Sequence, residues 1–154
     1  MRKVYYTSGY KYQLKRKYRY RTALRPKRDL VVDFLMLQTD GWLVYDKGYA
    51  WDGPSGEIQI PPFLPAWLPS IRLDITKDGK KSMRSSLIHD GLYQLMRYSL
   101  LDIKHRKYAD QLLKDICMED GMSIFMATQW RNAVSNFAED SALPKSKKKV
   151  LVAP

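Results

Sequence analysis

The chain has 154 residues, a length that supports one domain with a packed core and seldom two. A hydrophobic content of 45% with four tryptophans excludes global disorder, and the single cysteine, Cys117, excludes an internal disulfide framework and a cysteine-based zinc cluster. The net charge of +11 comes from the two ends: residues 1–30 hold 11 Lys or Arg against one acid, and the last 14 residues hold four and no acid.

Basic ends point to an acidic partner, either nucleic acid, an anionic membrane surface or another protein, against the plainer outcome of solvated faces and a frayed tail. No apolar run approaches the roughly 18–20 residues that span a bilayer, so no transmembrane segment is expected. The first residues, Met1 to Tyr6, are basic and lack the apolar centre of a signal peptide, so synthesis in a cytoplasm is expected.

In chain order, residues 10–24 alternate aromatic with basic side chains, most clearly in Tyr18-Arg19-Tyr20-Arg21. Period-two alternation predicts a strand with one face buried and one basic; the same interleaving suits stacking of single-stranded bases. Leu30 to Gln38 reads as a second strand. Thr39-Asp40-Gly41-Trp42 is a turn signal, because Asp-Gly supplies the positive φ angles of a tight hairpin. Leu43-Val44-Tyr45 begins the return. Gly48 to Gly56 holds three glycines, a proline and Asp52, which predicts a fixed loop whose backbone can approach a ligand closely. It lacks the ladder of acids found in calcium loops. Pro61 to Pro69 has four prolines, so regular elements cannot run through it. Ile71 to Ile75 is expected to add a short strand, with Lys77-Asp78-Gly79-Lys80 as a turn.

The second half reads as helical. Over residues 84–98, Ile88, Leu92 and Leu95 form an apolar stripe, with His89, Tyr93 and Met96 on its flank. Asp102 is a good N-cap for a helix over about 103–118, where Ala109, Leu112, Leu113 and Ile116 form the stripe and Asp110 flanks it. Cys117 belongs to that stripe and is expected in the core. A third helix spans about 121–138. The expected organisation is one α+β domain over 1–140, with a small N-terminal antiparallel sheet followed by a C-terminal bundle of three helices. Its parts are basic strands in 1–30, a loop over 48–80 and helices over 84–138, with a basic tail over 141–154.

The chemistry concentrates at Ser85 to Tyr93. His89 and Tyr93 are four apart and share a helix face. If the first two helices are antiparallel neighbours, Asp110 reaches His89. A carboxylate on one imidazole nitrogen fixes the tautomer and leaves the other nitrogen free as a general base. Asp90 could then help hold a divalent metal, with carbonyls of the 52–56 loop completing an oxygen shell. The other outcome for His89, Asp90 and Asp110 is a buried polar network tying two helices. An HD-type phosphohydrolase is not supported, since no histidine precedes His89, and no Gly-X-Ser-X-Gly elbow occurs.

Two resemblances attach to these residues. Trp51-Asp52-Gly53-Pro54-Ser55-Gly56, then Leu87-Ile88-His89-Asp90-Gly91-Leu92-Tyr93, then Arg106 to Asp110, together resemble the phage and prophage family called domain of unknown function 1353, over roughly residues 30–138. That resemblance implies a gene from a tailed phage or prophage; the expectation built on it is a protein made in the host cytoplasm, with incorporation into the virion and phage structural proteins as partners. It implies no activity.

The His-Asp-X-X-Tyr helix followed by a helix with an Asp is similar to the core of phospholipase-A2-type enzymes, over about 60 residues. By that similarity His89 is the water-activating base, Asp110 orients it, and Tyr93 hydrogen-bonds Asp110. Asp90 is the calcium ligand, and the loop of Asp52, Gly53, Ser55 and Gly56 stands where a calcium loop would. The chain departs from the secreted members in lacking their half-cystines and usual loop glycines and in carrying an added sheet. The expectation is a metal-dependent hydrolase of an ester or amide, with a non-catalytic tail or head-tail adaptor as the alternative. A homo-oligomer is compatible with both.

Overall fold

The computed structural model describes residues 6–7, 12–53, 75–137 and 139–146. Within them lie seven short strands: β1 (Tyr6–Thr7), β2 (Tyr12–Leu14), β3 (Tyr18–Arg21), β4 (Leu30–Val32), β5 (Leu35–Leu37), β6 (Trp42–Tyr45) and β7 (Ala50–Trp51). They form two antiparallel sheets, ordered β1-β2-β7 and β3-β6-β5-β4. Helices follow: α1 (Ile75–Arg97), a 3-10 turn at Ile103–His105, α2 (Arg106–Glu119), α3 (Ile124–Phe137), the short α4 (Glu139–Ala142) and a 3-10 turn at Pro144–Ser146. The class is α+β, as the pattern of the sequence predicts. Among the described residues no helix is long and apolar enough to cross a membrane.

The alternation in β3 settles which face is which. Tyr18 and Tyr20 are buried, and Arg19 and Arg21 are exposed. Across the sheet the buried set continues with Leu30, Val32, Leu35, Leu37, Leu43 and Tyr45, which share one core with Leu87, Ile88, Leu92 and Leu95 of α1. The Asp40-Gly41 turn lies between β5 and β6 as expected, with Gly41 at φ 93°. Thr22 and Leu24 carbonyls crowd that glycine, so a side chain there meets backbone as well as an unfavourable φ.

Leu30 to Gln38 is not one strand. It folds into a hairpin whose turn is Asp33-Phe34, with Asp33 at φ 43°. Asp tolerates the left-handed region because its short polar side chain suits turn backbone, and the paired rows Leu30–Leu37 and Val32–Leu35 put four apolar side chains on the core face. A second difference lies at the start of α1. The expected turn at residues 77–80 is helical, and the helix begins at Ile75. Gly79 lies inside this helix without a positive φ, with open space where a side chain would stand. The expected strand over 71–75 lies outside the described residues apart from Ile75, which is helical, and the Pro61–Pro69 segment lies wholly outside them.

Helix α1 is buried nearly all round from Ser82 to His89, and the polar residues of that stretch are bonded inside the protein. The expected stripe of Ile88, Leu92 and Leu95 is buried, as is its flank of His89, Tyr93 and Met96, and the helix makes further contacts on its other sides. The Tyr45 hydroxyl donates to the Leu87 carbonyl at 3.0 Å, and the Trp51 indole N–H donates to Ser86 at 3.2 Å. On the opposite side, Ser85 contacts Cys117 at 3.0 Å, while Arg84 bridges Glu119 at 2.7 Å and Asp120 at 2.9 Å. Low numbers in α1 meet high numbers in α2, so the two are antiparallel. The turn between them is set by Ser99 at φ 57°, with the Leu100 amide returning to the Leu95 carbonyl at 2.9 Å, a left-handed helix end. Asp102 caps the next turn through Lys104, as expected, although that first turn is 3-10 and α2 proper begins at Arg106. Residues 141–146 are not free tail: Ala142 is fully buried in the core, and the Ser141 carbonyl accepts from Arg97 at 2.9 Å.

Candidate functional site

The antiparallel α1–α2 pair brings His89, Tyr93 and Asp110 together. His89 and Tyr93 lie one turn apart with ring centroids 4.0 Å apart. His89 Nε2–H donates to Asp110 Oδ1 at 3.0 Å, and the Tyr93 hydroxyl donates to the same oxygen at 2.7 Å. The other oxygen, Oδ2, accepts from the Ser135 hydroxyl of α3 at 2.9 Å. Arg106 in turn donates to the Ser135 backbone carbonyl at 3.0 Å. Three helices therefore hold one carboxylate, which satisfies a buried charge with charge-assisted hydrogen bonds.

With Nε2 occupied, the second ring nitrogen of His89, Nδ1, is left facing Asp90 Oδ1 at 3.7 Å. That distance is too long for a hydrogen bond, so Asp90 acts on the ring by charge. His89 is 5% exposed and Asp110 2%, while the Asp90 side chain is 32% exposed. Asp90 is therefore the partly exposed member of this group, beside a buried His89 and Asp110.

The electrostatics follow from this geometry. Burial alone lowers the tendency of His89 to protonate, but the Asp110 hydrogen bond and the Asp90 carboxylate outweigh it, and its pKa is raised above 6.5. Burial of Asp110 acts to raise its pKa. The hydrogen bonds from His89, Tyr93 and Ser135 reverse that, and the net shift is down from 3.8. Burial, then the Asp110 contact, pushes the Tyr93 phenol well up, so it stays a donor.

These two shifts fix a stability profile. Asp110, depressed on folding, contributes stability above its unfolded value, and that is lost as pH falls through its folded value. His89, raised on folding, contributes fully below its unfolded value and loses that contribution as pH rises through its folded value. The contribution of the pair is therefore greatest between 3.8 and 6.5. Urea denaturation of wild type against the His89→Gln/Asp110→Asn double variant, from about pH 3 to about pH 9, is expected to show the largest difference in that window and a smaller one on both sides.

The remaining candidates fall on the sheet side of α1. Trp51 docks on Ser86, one turn before Asp90, so Asp52 follows directly from a residue packed against that helix. Burial is the main cause of the raised pKa of Tyr49, and both Asp90 and Asp52 add to it, which puts the two carboxylates within electrostatic reach of one phenol. The Tyr49 hydroxyl donates to Gln94 at 3.0 Å. Gly53, at φ 71°, lies against the Tyr12 ring, where a side chain would not fit. Ser55 and Gly56 lie outside the described residues. Among the described residues no group of three or more His, Cys, Asp or Glu comes together as a metal site. Asp90 and Asp52 offer hard oxygen of the type calcium takes, without a complete ligand set.

Ser135, Gln94 and Tyr49 are the participants that sequence reasoning missed. Ser135 sits in a helix chosen for its apolar residues, and no spacing rule links it to Asp110. Searched against protein-family models, curated proteins and solved structures, the chain has no significant match in any of them.

Proposed function

We propose that the protein is a tailed-phage virion-associated or accessory protein whose His89–Asp110 pair activates water for hydrolysis of an ester or amide, with a phospholipid ester as the first substrate class. The observation that carries this reading is the division of labour on the imidazole. Asp110, itself held by Tyr93 and Ser135, orients His89 through Nε2, and Nδ1 is left as the base.

In that role Nδ1 takes a proton from water as the water oxygen attacks the carbonyl carbon. The imidazolium is stabilised by Asp110, and its Nδ1 proton passes to the leaving oxygen or nitrogen as the tetrahedral adduct collapses. A calcium ion, if bound, would polarise the scissile carbonyl. Asp90 and Asp52 are the side chains of this chain suited to hold it, with the Gly53 and Gly56 carbonyls expected to add to the set. The phage setting is supported by the order of the motifs alone.

A second reading has its own observation. His89 and Asp110 are deeply buried and join three helices, which suits a structural tie in a non-catalytic head-tail or tail adaptor.

Fatty-acid release from mixed phosphatidylcholine and phosphatidylglycerol vesicles separates the two. Wild type with calcium is expected to release product. Chelation of calcium, or His89→Ala, is expected to cut the rate by roughly 10²-fold or more, the usual scale of a lost general base. Equal, background release by wild type and His89→Ala in calcium would leave the structural reading.

A further inference from the structure

The outer face of the four-stranded sheet is used by neither reading. The register places Arg19, Val44, Met36 and Val31 in one row across β3, β6, β5 and β4, opposite the core face, with Val44 buried and Met36 half-buried in the middle of the row, and Arg21 beside Trp42 two residues along. Arg19 and Arg21 lie over the Trp42 ring, 4.6 Å and 5.3 Å from its centroid. Val31 is 59% exposed, and Phe34, in the β4–β5 turn, is 52% exposed. Residues 15–28 carry eight Lys or Arg and no acid. Lys17 pairs with Asp46 at 3.1 Å, and Arg21 lies 3.8 Å from Asp40, both in exposed positions. Among the described residues no carboxylate pairs with Arg19, whose guanidinium is held by the indole instead.

From this juxtaposition we infer that the outer sheet face, through Arg19, Arg21, Trp42, Val31 and Phe34, docks on an anionic phospholipid surface. The guanidiniums present N–H donors to lipid phosphates while their stems and the indole lie along the boundary. Val31 and Phe34 supply apolar surface that enters the acyl boundary. A nucleic acid is the poorer fit. The Tyr18 and Tyr20 rings, which could have stacked bases, are turned into the core. Trp42 already carries two guanidiniums, and a polyanion has no use for an exposed valine and phenylalanine. The inference does not depend on turnover at His89.

Vesicle sedimentation of the full chain with calcium chelated tests docking apart from hydrolysis. The chain is expected to partition onto phosphatidylcholine vesicles containing phosphatidylglycerol at least about tenfold more strongly than onto phosphatidylcholine alone, since each basic residue near an anionic surface adds attraction. Arg19→Glu/Arg21→Glu is expected to abolish that preference, and Val31→Asp to weaken partitioning onto the anionic vesicles. Val31 is exposed, so its variant keeps the test sound if the double variant fails to fold. His89→Ala is expected to partition as wild type does, so loss of hydrolysis and loss of docking are told apart. Equal partitioning of wild type, Val31→Asp and the double variant overturns the inference. So does binding of a single-stranded oligonucleotide without binding of anionic vesicles.

Discussion

Asp110→Leu is expected to destabilise the fold by about 3–5 kcal/mol, the scale on which removing one partner leaves buried polar groups uncompensated. The donors of His89, Tyr93 and Ser135 would all lose their acceptor at once. Asp110→Asn is the informative contrast. Its amide oxygen can still accept from His89 and Tyr93, and its amide N–H can donate to the Ser135 hydroxyl, so the stability cost is expected to be about 1–2 kcal/mol. Without the negative charge, an imidazolium formed at a catalytic His89 would lose its stabiliser. If His89 is a general base, hydrolysis by Asp110→Asn is expected to fall by roughly 10³–10⁴-fold, the scale seen when a catalytic imidazole loses its orienting carboxylate. Denaturant melts of both variants, set beside vesicle hydrolysis by Asp110→Asn, separate the two roles. A neutral Asp110→Leu would remove even the structural role.

Gly91→Ala carries the second large effect, and it reports on the helix–sheet junction. A methyl group at Gly91 presses on the Tyr45 hydroxyl and lies 2.8 Å from the ring carbons beside it. Helix propensity alone favours alanine by about 1 kcal/mol. The clash wins, because Tyr45 is fully buried, bonded to the Leu87 carbonyl and packed edge-on against Tyr49. Net destabilisation of about 2–3 kcal/mol is expected for overpacking at a rigid contact. Tyr45→Phe removes the oxygen that meets the methyl, so in a double-mutant cycle it should recover part of the loss. Additive effects of the two substitutions in denaturant melts would show that the helix shifts away from the sheet instead.

Much of the candidate site was legible because its partners obey short-range rules. His89 and Tyr93 are one helical turn apart, and the short connection from Arg97 to Arg106 makes α1 and α2 antiparallel neighbours, so Asp110 falls opposite His89. The Tyr18-Arg19-Tyr20-Arg21 alternation carried through unchanged for the same reason, and the Asp40-Gly41 turn kept its place between β5 and β6 with positive φ at Gly41 but not at Asp40. Leu30 to Gln38 misled because an apolar run reads as one strand, and a single Asp at positive φ is enough to fold it back. The start of α1 misled because Lys77 to Lys80 has turn composition, which long helices override when nothing opposes them.

The sequence by itself determined the class of the fold, the buried and basic faces of β3, and the local pairing of His89 with Tyr93. These depend on periods of two and of 3.6 residues, which are written along the chain. Only the tertiary structure decided that Ser135 holds the second oxygen of Asp110, that Nδ1 of His89 faces Asp90, and that Arg19 and Arg21 cover Trp42. Each of those contacts joins different helices or different strands. Their distances depend on how whole elements pack, and no local pattern of residues encodes that packing.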